Sequence, residues 1–105
     1  MNKYQIYLSQ LQLLKTYTII STPKTKKKTK MLIADLIEDL GFKACAEEIR
    51  KNRKAKENAL YAINTWRKQA KLYNTKGEDI TPEGREEFYN KFADMFNEIV
   101  ENVYA

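Results

Sequence analysis

The C-terminal part of the chain carries its clearest helical pattern. Apolar side chains recur there at intervals of three or four residues: Phe88, Phe92, Met95, Ile99 and Val103. This spacing is typical of one face of an α-helix. Thr81, Pro82 and Glu83 supply a start signal, because threonine caps a helix, proline fits its first position and an acid suits its first turn. We therefore expect an acidic helix over residues 82–104, with its apolar face in the core.

Two segments nearer the N-terminus show the same periodicity. In residues 2–15 the apolar stripe consists of Tyr4, Leu8, Leu11 and Leu14. In residues 30–40 it consists of Leu32, Ile33, Leu36, Ile37 and Leu40. Thr29 is placed to cap the second of these helices, and Gly41 is placed to end it, because a left-handed C-cap favours a residue without Cβ.

Residues 43–73 predict two helices joined by a break. The apolar pattern lapses between Arg50 and Lys54, and it returns at Ala59, Ile63, Trp66, Ala70 and Tyr73. One helix across the whole segment would be ~46 Å long at 1.5 Å per residue. Because that is long for a chain of 105 residues, we expect a short helix, a break near Asn52 and a longer second helix.

The link between the first two helices is less regular. Residues 17–20 are aromatic and β-branched, which is compatible with a short strand or with the end of the first helix. Pro23 interrupts helices and five lysines follow it closely, so residues 21–30 predict a flexible basic loop. Taken together, residues 1–105 predict one all-α domain, a small bundle of four or five helices without internal repeats.

Charge is distributed unevenly along the chain. Residues 1–39 have a balance of +4, residues 40–76 a balance of +7 and residues 77–105 a balance of −6, which gives the net charge of +5. A basic body with an acidic tail favours a polyanion partner, an acidic protein surface or internal charge pairing.

Two groups of residues are candidates for binding nucleic acid. The first is the lysine run, which could neutralise phosphates: Lys24, Lys26, Lys27, Lys28 and Lys30. The second is a polar face on the basic helix, where cations, an amide and an aromatic ring could contact phosphates and bases. Its members are Arg50, Arg53, Lys54, Asn58, Tyr61, Arg67 and Lys68. The alternatives are a solvated linker and an ordinary exposed helix face.

The order of the middle helices resembles a helix-turn-helix. A helix, a glycine turn, a short helix and a basic helix follow one another between residues 32 and 68. The segment 59–68 also resembles the recognition helix of phage repressor-like proteins, in which an apolar residue and a tryptophan precede basic residues. The interval from Ala46 to Ile63 exceeds that of the compact motif by roughly two helical turns. The alternative is that Ile63 and Trp66 are core residues.

The composition argues against several kinds of chemistry. The chain has no histidine, and Cys45 is its only cysteine. Triad hydrolysis and zinc sites of the Cys/His type are therefore disfavoured, and we expect no catalytic residues, no metal and no cofactor. Cys45 itself is interpreted as a small apolar residue rather than a reactive thiol.

Two function classes remain. The leading interpretation is a small, non-enzymatic and cytoplasmic protein that binds DNA or RNA through the basic groups. The alternative is a protein-interaction module, an inhibitor or adaptor of phage or plasmid type, that occludes an acidic or nucleic-acid-binding protein. No apolar stretch approaches the ~20 residues that span a bilayer, so we expect no membrane partner. The apolar residues of the first helix could cap the core or form a homodimer.

Overall fold

The computed structural model of the protein describes residues 3–19, 22–69 and 82–105. They form five α-helices: α1 (Lys3–Ile19), α2 (Pro23–Asp39), α3 (Lys43–Arg50), α4 (Ala55–Gln69) and α5 (Pro82–Val103). These ranges contain no strand, so the predicted all-α bundle is confirmed. The Thr81 cap and the apolar positions Ala70 and Tyr73 lie outside the described residues.

Helix α1 is longer than its apolar stripe indicated. Tyr17, Thr18 and Ile19 are helical, so the strand considered at 17–20 is wrong for these three residues, and Ile20 is outside the described ranges. The side chains of Tyr4, Leu11 and Leu14 are buried. Leu8 is 38% exposed. The stripe expected to face the core therefore does so at three of its four positions.

Helix α2 begins at Pro23, and the predicted basic loop is therefore wrong. Thr22 caps the helix, because its side chain accepts a hydrogen bond from the Thr25 N–H at 3.2 Å. The Thr25 hydroxyl in turn accepts the Thr22 N–H at 2.9 Å, which completes a capping box. Thr29, expected to be the cap, is 1% exposed, and its hydroxyl donates to the Thr25 carbonyl at 2.8 Å. Proline occupies the first position of the helix, where its missing N–H has no intrahelical partner to lose.

Gly41 ends α2 as expected. Its φ of 105° is a left-handed backbone that favours glycine. The N–H of Gly41 donates to the Glu38 carbonyl, and that of Phe42 donates to the Ile37 carbonyl, both at 3.0 Å. These two bonds form a Schellman motif. They turn the chain back so that α3 packs along α2.

The break near Asn52 is confirmed, and a second Schellman motif forms it. Asn52 has a φ of 56°. Its N–H donates to the Ile49 carbonyl at 3.0 Å, and the Arg53 N–H donates to the Glu48 carbonyl at 2.9 Å. Asparagine tolerates this left-handed conformation better than most residues do. Two residues later, Lys54 adopts a φ of 45° just before α4 begins.

The core is organised around α2, which contacts each of the other four helices. Its Ile33, Leu36 and Ile37 side chains are fully buried. At the α4–α5 contact the Trp66 and Tyr89 rings stack, with centroids 3.9 Å apart and planes 10° from parallel. On α5 the most deeply buried residues are Phe92, Ala93, Phe96 and Val100, whereas Phe88 and Met95 pack at the edge of the core.

The positive φ of Lys54 gives a stability prediction. A left-handed conformation is unfavourable for a residue with a β-carbon and is accessible to glycine. We expect Lys54→Gly to raise the free energy of unfolding by about 0.5–1 kcal/mol, measured by urea denaturation. Lys51→Gly is the matched control, because Lys51 has an ordinary φ of −83°. It should lower the free energy of unfolding, and an equal effect of both changes would contradict the prediction.

Candidate nucleic-acid interface

Two basic segments that are distant in the sequence meet at one end of the bundle. Because α3 packs back along α2, the turn after α3 lies beside residues 27–31 of α2. Residues from both sides line one shallow groove: Lys27, Lys30, Met31, Ile49, Arg50 and Asn52. Residues 22–31 and 50–54 contain no acid. We call their basic residues the cationic end: Lys24, Lys26, Lys27, Lys28, Lys30, Arg50, Lys51, Arg53 and Lys54.

The helical conformation of α2 spreads the lysine run around the helix axis. The Lys28 ammonium lies 4.9 Å from the centre of the Tyr17 ring of α1. The Lys30 ammonium lies 5.1 Å from the centre of the Tyr104 ring, just beyond α5. Each contact is a cation–π interaction that positions a lysine without neutralising its charge. The run therefore contributes a fixed positive surface instead of the flexible arm expected from the sequence.

The lysines also lie at the electrostatically unfavourable end of α2. A helix N-terminus carries a partial positive charge and favours acids, yet the first turn of α2 contains none. Lys24, Lys26 and Lys27 are exposed there. Bound phosphate would remove both the repulsion among these lysines and their conflict with the helix dipole.

Arg50 differs from the other members of the cationic end because acids of α2 hold it. Its guanidinium donates to the Asp35 carboxylate at 2.7 Å and to the Glu38 carboxylate at 3.0 Å. The hydrogen bonds that Arg50 donates to Glu38 and Asp35 raise the pKa of Arg50. Arg50 therefore links α3 to α2 beside the groove, and the two carboxylates compensate most of its charge.

The predicted face on α4 is only partly available. Tyr61 is 65% exposed, whereas Ile63 is fully buried, so the two side chains point in opposite directions. Lys68 is exposed seven residues beyond Tyr61, on the same side of the helix. Glu57 is exposed one turn before Tyr61, and its carboxylate would repel phosphate.

Asn58 and Arg67 are engaged within the fold. The Asn58 amide donates to the carbonyls of Arg53 at 3.2 Å and Lys54 at 3.0 Å, which supports the turn before α4. Arg67 donates to the Asp94 carboxylate of α5 at 2.6 Å. Of the remaining predicted site residues, the five lysines of α2, Arg53 and Lys54 belong to the cationic end. Tyr61 and Lys68 lie further along α4.

Acids of α5 cancel part of the basic charge of α4. In addition to the Arg67–Asp94 pair, Lys56 lies 2.9 Å from the Glu101 carboxylate. Glu87 pairs with Lys91 of its own helix at 2.9 Å, and this lowers the pKa of Glu87. The internal pairing considered from the sequence therefore occurs at the α4–α5 contact.

Three residues of the site were missed or undervalued by the sequence interpretation. Met31 is 59% exposed in the groove. Lys51 is an exposed member of the turn, and Asn52 shapes that turn. Local periodicity places Met31 on the polar side of α2, but the sequence alone does not show which segment lies opposite it.

Other chemistry receives little support from the described residues. Within those ranges no cluster of three or more His, Cys, Asp or Glu side chains could hold a metal ion. Cys45 is partly buried, and burial raises the pKa of its thiol. None of the helices in the described part of the chain is long and apolar enough to cross a membrane.

Comparisons with known proteins returned nothing. The chain matches no protein-family model, and searches of curated proteins and of solved structures gave no match.

The unfavourable charge at the start of α2 leads to a prediction about stability. We expect Lys24→Glu to raise the free energy of unfolding by about 0.5–1 kcal/mol, because an acid complements the helix N-terminus. Lys68→Glu makes the same charge change in the last turn of α4 and should lower the free energy of unfolding. Chemical denaturation at low ionic strength measures both. Equal shifts would show that net charge, and not position on the helix, determines the effect.

Proposed function

We propose that this protein binds nucleic acid without catalysis, through the cationic end. The observation that carries the proposal is the groove in which Lys27 and Lys30 lie beside Arg50 and Asn52, because the two segments that supply these residues, 24–30 and 50–54, contain no acid. This proposal includes the expectation that the protein acts in the cytoplasm.

The charges of the cationic end suit a phosphate backbone. Apart from Arg50, no ion pair neutralises its members in the described structure. Lysines bind phosphates mainly as point charges, and their affinity derives from the release of counterions. Five phosphate contacts would give a slope of roughly −4 in a plot of log affinity against log salt concentration on duplex DNA.

The exposed part of α4 supports a secondary role. Tyr61 offers a ring for stacking on an unpaired base, and Lys68 offers a further phosphate contact. Glu57 lies between this ring and the cationic end along the helix, which disfavours a continuous track for phosphates. Ile63 and Trp66 are buried, so they serve the core instead of reading bases. We therefore assign the main contact to the cationic end.

The experiment compares two double variants with equal charge changes. Lys27→Gln with Lys51→Gln removes one charge from each basic segment, whereas Lys43→Gln with Lys91→Gln removes two exposed charges elsewhere. Fluorescence anisotropy would measure binding to a short labelled DNA duplex, to its single strand and to RNA of the same sequence, over a series of salt concentrations. We expect the first variant to reduce the magnitude of the salt slope on the duplex by roughly 2, since each lost contact removes about 0.9.

The control variant should retain the slope of the unaltered protein. If both variants lose affinity equally, binding follows net charge and has no defined site, which contradicts the proposal. Absence of binding to all three probes at low salt would also contradict it. A preference for the single strand that disappears in Tyr61→Leu would assign Tyr61 to stacking.

A partner protein is the second candidate, favoured by one observation. Met31 is 59% exposed and lies beside Ile49 in a groove with a cationic rim. An acidic protein surface with an apolar side chain would fit there, as for an inhibitor or adaptor of phage or plasmid type. If the partner is a protein, a pull-down should capture one protein in a stoichiometric amount, and nuclease treatment should not release it. Met31→Gln should then abolish this capture and leave the salt slope on nucleic acid unchanged.

A further inference from the structure

Exposed apolar side chains are concentrated on α1. The described part of the chain has six large apolar side chains that are exposed, and four belong to this helix: Ile6, Leu8, Leu13 and Ile19. Ile19 is the most exposed of them, at 78%. Helices of a small soluble bundle usually direct such residues inward. Ile6 and Leu13 lie on the side of α1 away from Lys15, whereas Leu8 and Ile19 share the side of Lys15, and Ile19 lines a groove between α1 and α5.

The C-terminal half of α1 borders an open groove with α5. The two helices run in the same direction: the Tyr4 ring lies 5.1 Å from the Phe88 ring at one end. At the other end the groove has a volume of about 320 Å³ and is lined by Lys15, Thr18, Ile19, Met95, Glu98, Ile99 and Asn102. Its apolar part consists of Ile19, Met95 and Ile99. We call the groove formed by all seven of these lining residues the α1–α5 groove.

The groove carries one charge of each sign. Lys15 lies on α1 and Glu98 lies on α5, and both side chains are exposed. Neither forms an ion pair in the described structure. The groove is thus neutral overall and apolar between its charges, on a chain whose net charge is +5.

We propose that the α1–α5 groove is a homodimer interface, in which Lys15 of each copy faces Glu98 of the other. A two-fold interface places the same patch on both copies, so a patch that contains both signs is complementary to itself. A polyanion would gain nothing from this neutral surface, and a strongly charged protein would match only half of it. The apolar stripe first expected to support a dimer mainly faces the core. The proposed contact lies near the C-terminal end of α1, on the side that Lys15 shares with Leu8 and Leu11, and it does not depend on the proposed binding of nucleic acid.

Charge reversal provides a test that is specific to pairing between copies. We expect the unaltered protein to show concentration-dependent dimerisation in sedimentation velocity experiments. Lys15→Glu and Glu98→Lys should each raise the dissociation constant at least about tenfold, because each homodimer then holds two like-charge contacts. An equimolar mixture of the two variants should recover dimerisation, since both contacts in the mixed dimer are attractive. A pairing within one chain could not produce that recovery.

Matched controls exclude general effects of charge. Lys43→Glu and Glu47→Lys make the same charge changes on α3, which contacts neither α1 nor α5 in the described structure. They should leave the dissociation constant unchanged. Ile19→Ser should weaken dimerisation without altering the circular dichroism spectrum, because this side chain is largely exposed.

Several outcomes would overturn the proposal. They are a monomer at every accessible concentration, a mixture of the two variants that does not recover dimerisation, and an Ile19→Ser variant that dimerises like the unaltered protein. The salt slope on the DNA duplex, measured by anisotropy on the same variants, reports on the cationic end, because none of these substitutions changes one of its residues. Loss of the dimer with retained salt slope would leave the proposed function intact.

Discussion

Burial of the apolar face of α2 is the constraint on which the rest of the structure depends. Full burial of Ile33, Leu36 and Ile37 stabilises the fold by about 1.5–3 kcal/mol for each side chain. The opposing cost of a lysine near the helix N-terminus is about 0.3–1 kcal/mol at an exposed site. Hydrophobic burial therefore prevails, and it propagates the helix back through the lysine run to the Thr22 cap. The charges are held in place by a core to which they contribute nothing.

The acids of α5 divide the basic surface into two parts. Where α5 lies along α4, Asp94 and Glu101 pair with Arg67 and Lys56 at 2.6 and 2.9 Å. Such exposed pairs contribute little to stability, of the order of 0–1 kcal/mol each. Their main effect is on the electrostatic surface, because they neutralise the flank of α4, whereas the cationic end has an ion pair only at Arg50 in the described structure. A cationic surface that is confined to one end gives a polyanion a defined orientation, which a uniformly basic protein would not provide.

Local signals predicted most of the helices, and long-range packing determined the site. Gly41 was predictable because a left-handed C-cap selects glycine, and the break near Asn52 was predictable because the apolar pattern lapses there and one helix over 43–73 would be too long. Thr22 and Pro23 carry the same helix start signal as Thr81 and Pro82. A loop was nevertheless predicted there, because the repulsion among the lysines that follow Pro23 was overestimated. The proximity of Lys27 to Asn52 follows from the antiparallel packing of α3 on α2, and no local pattern in the sequence encodes it.

The cationic end and the α1–α5 groove are structurally connected, and this connection constrains how they act together. Tyr17 of α1 holds Lys28, and Tyr104 beyond α5 holds Lys30, so residues flanking the groove also position lysines. Tyr104 is partly buried, its hydroxyl is buried without a hydrogen-bond partner among the described residues, and burial raises the pKa of Tyr104 to about 12. The contact with Lys30 uses only the face of this ring. Association through the groove would bring two cationic ends near each other and add repulsion between them. A bound polyanion would remove that repulsion, so dimerisation and polyanion binding should favour each other by thermodynamic linkage.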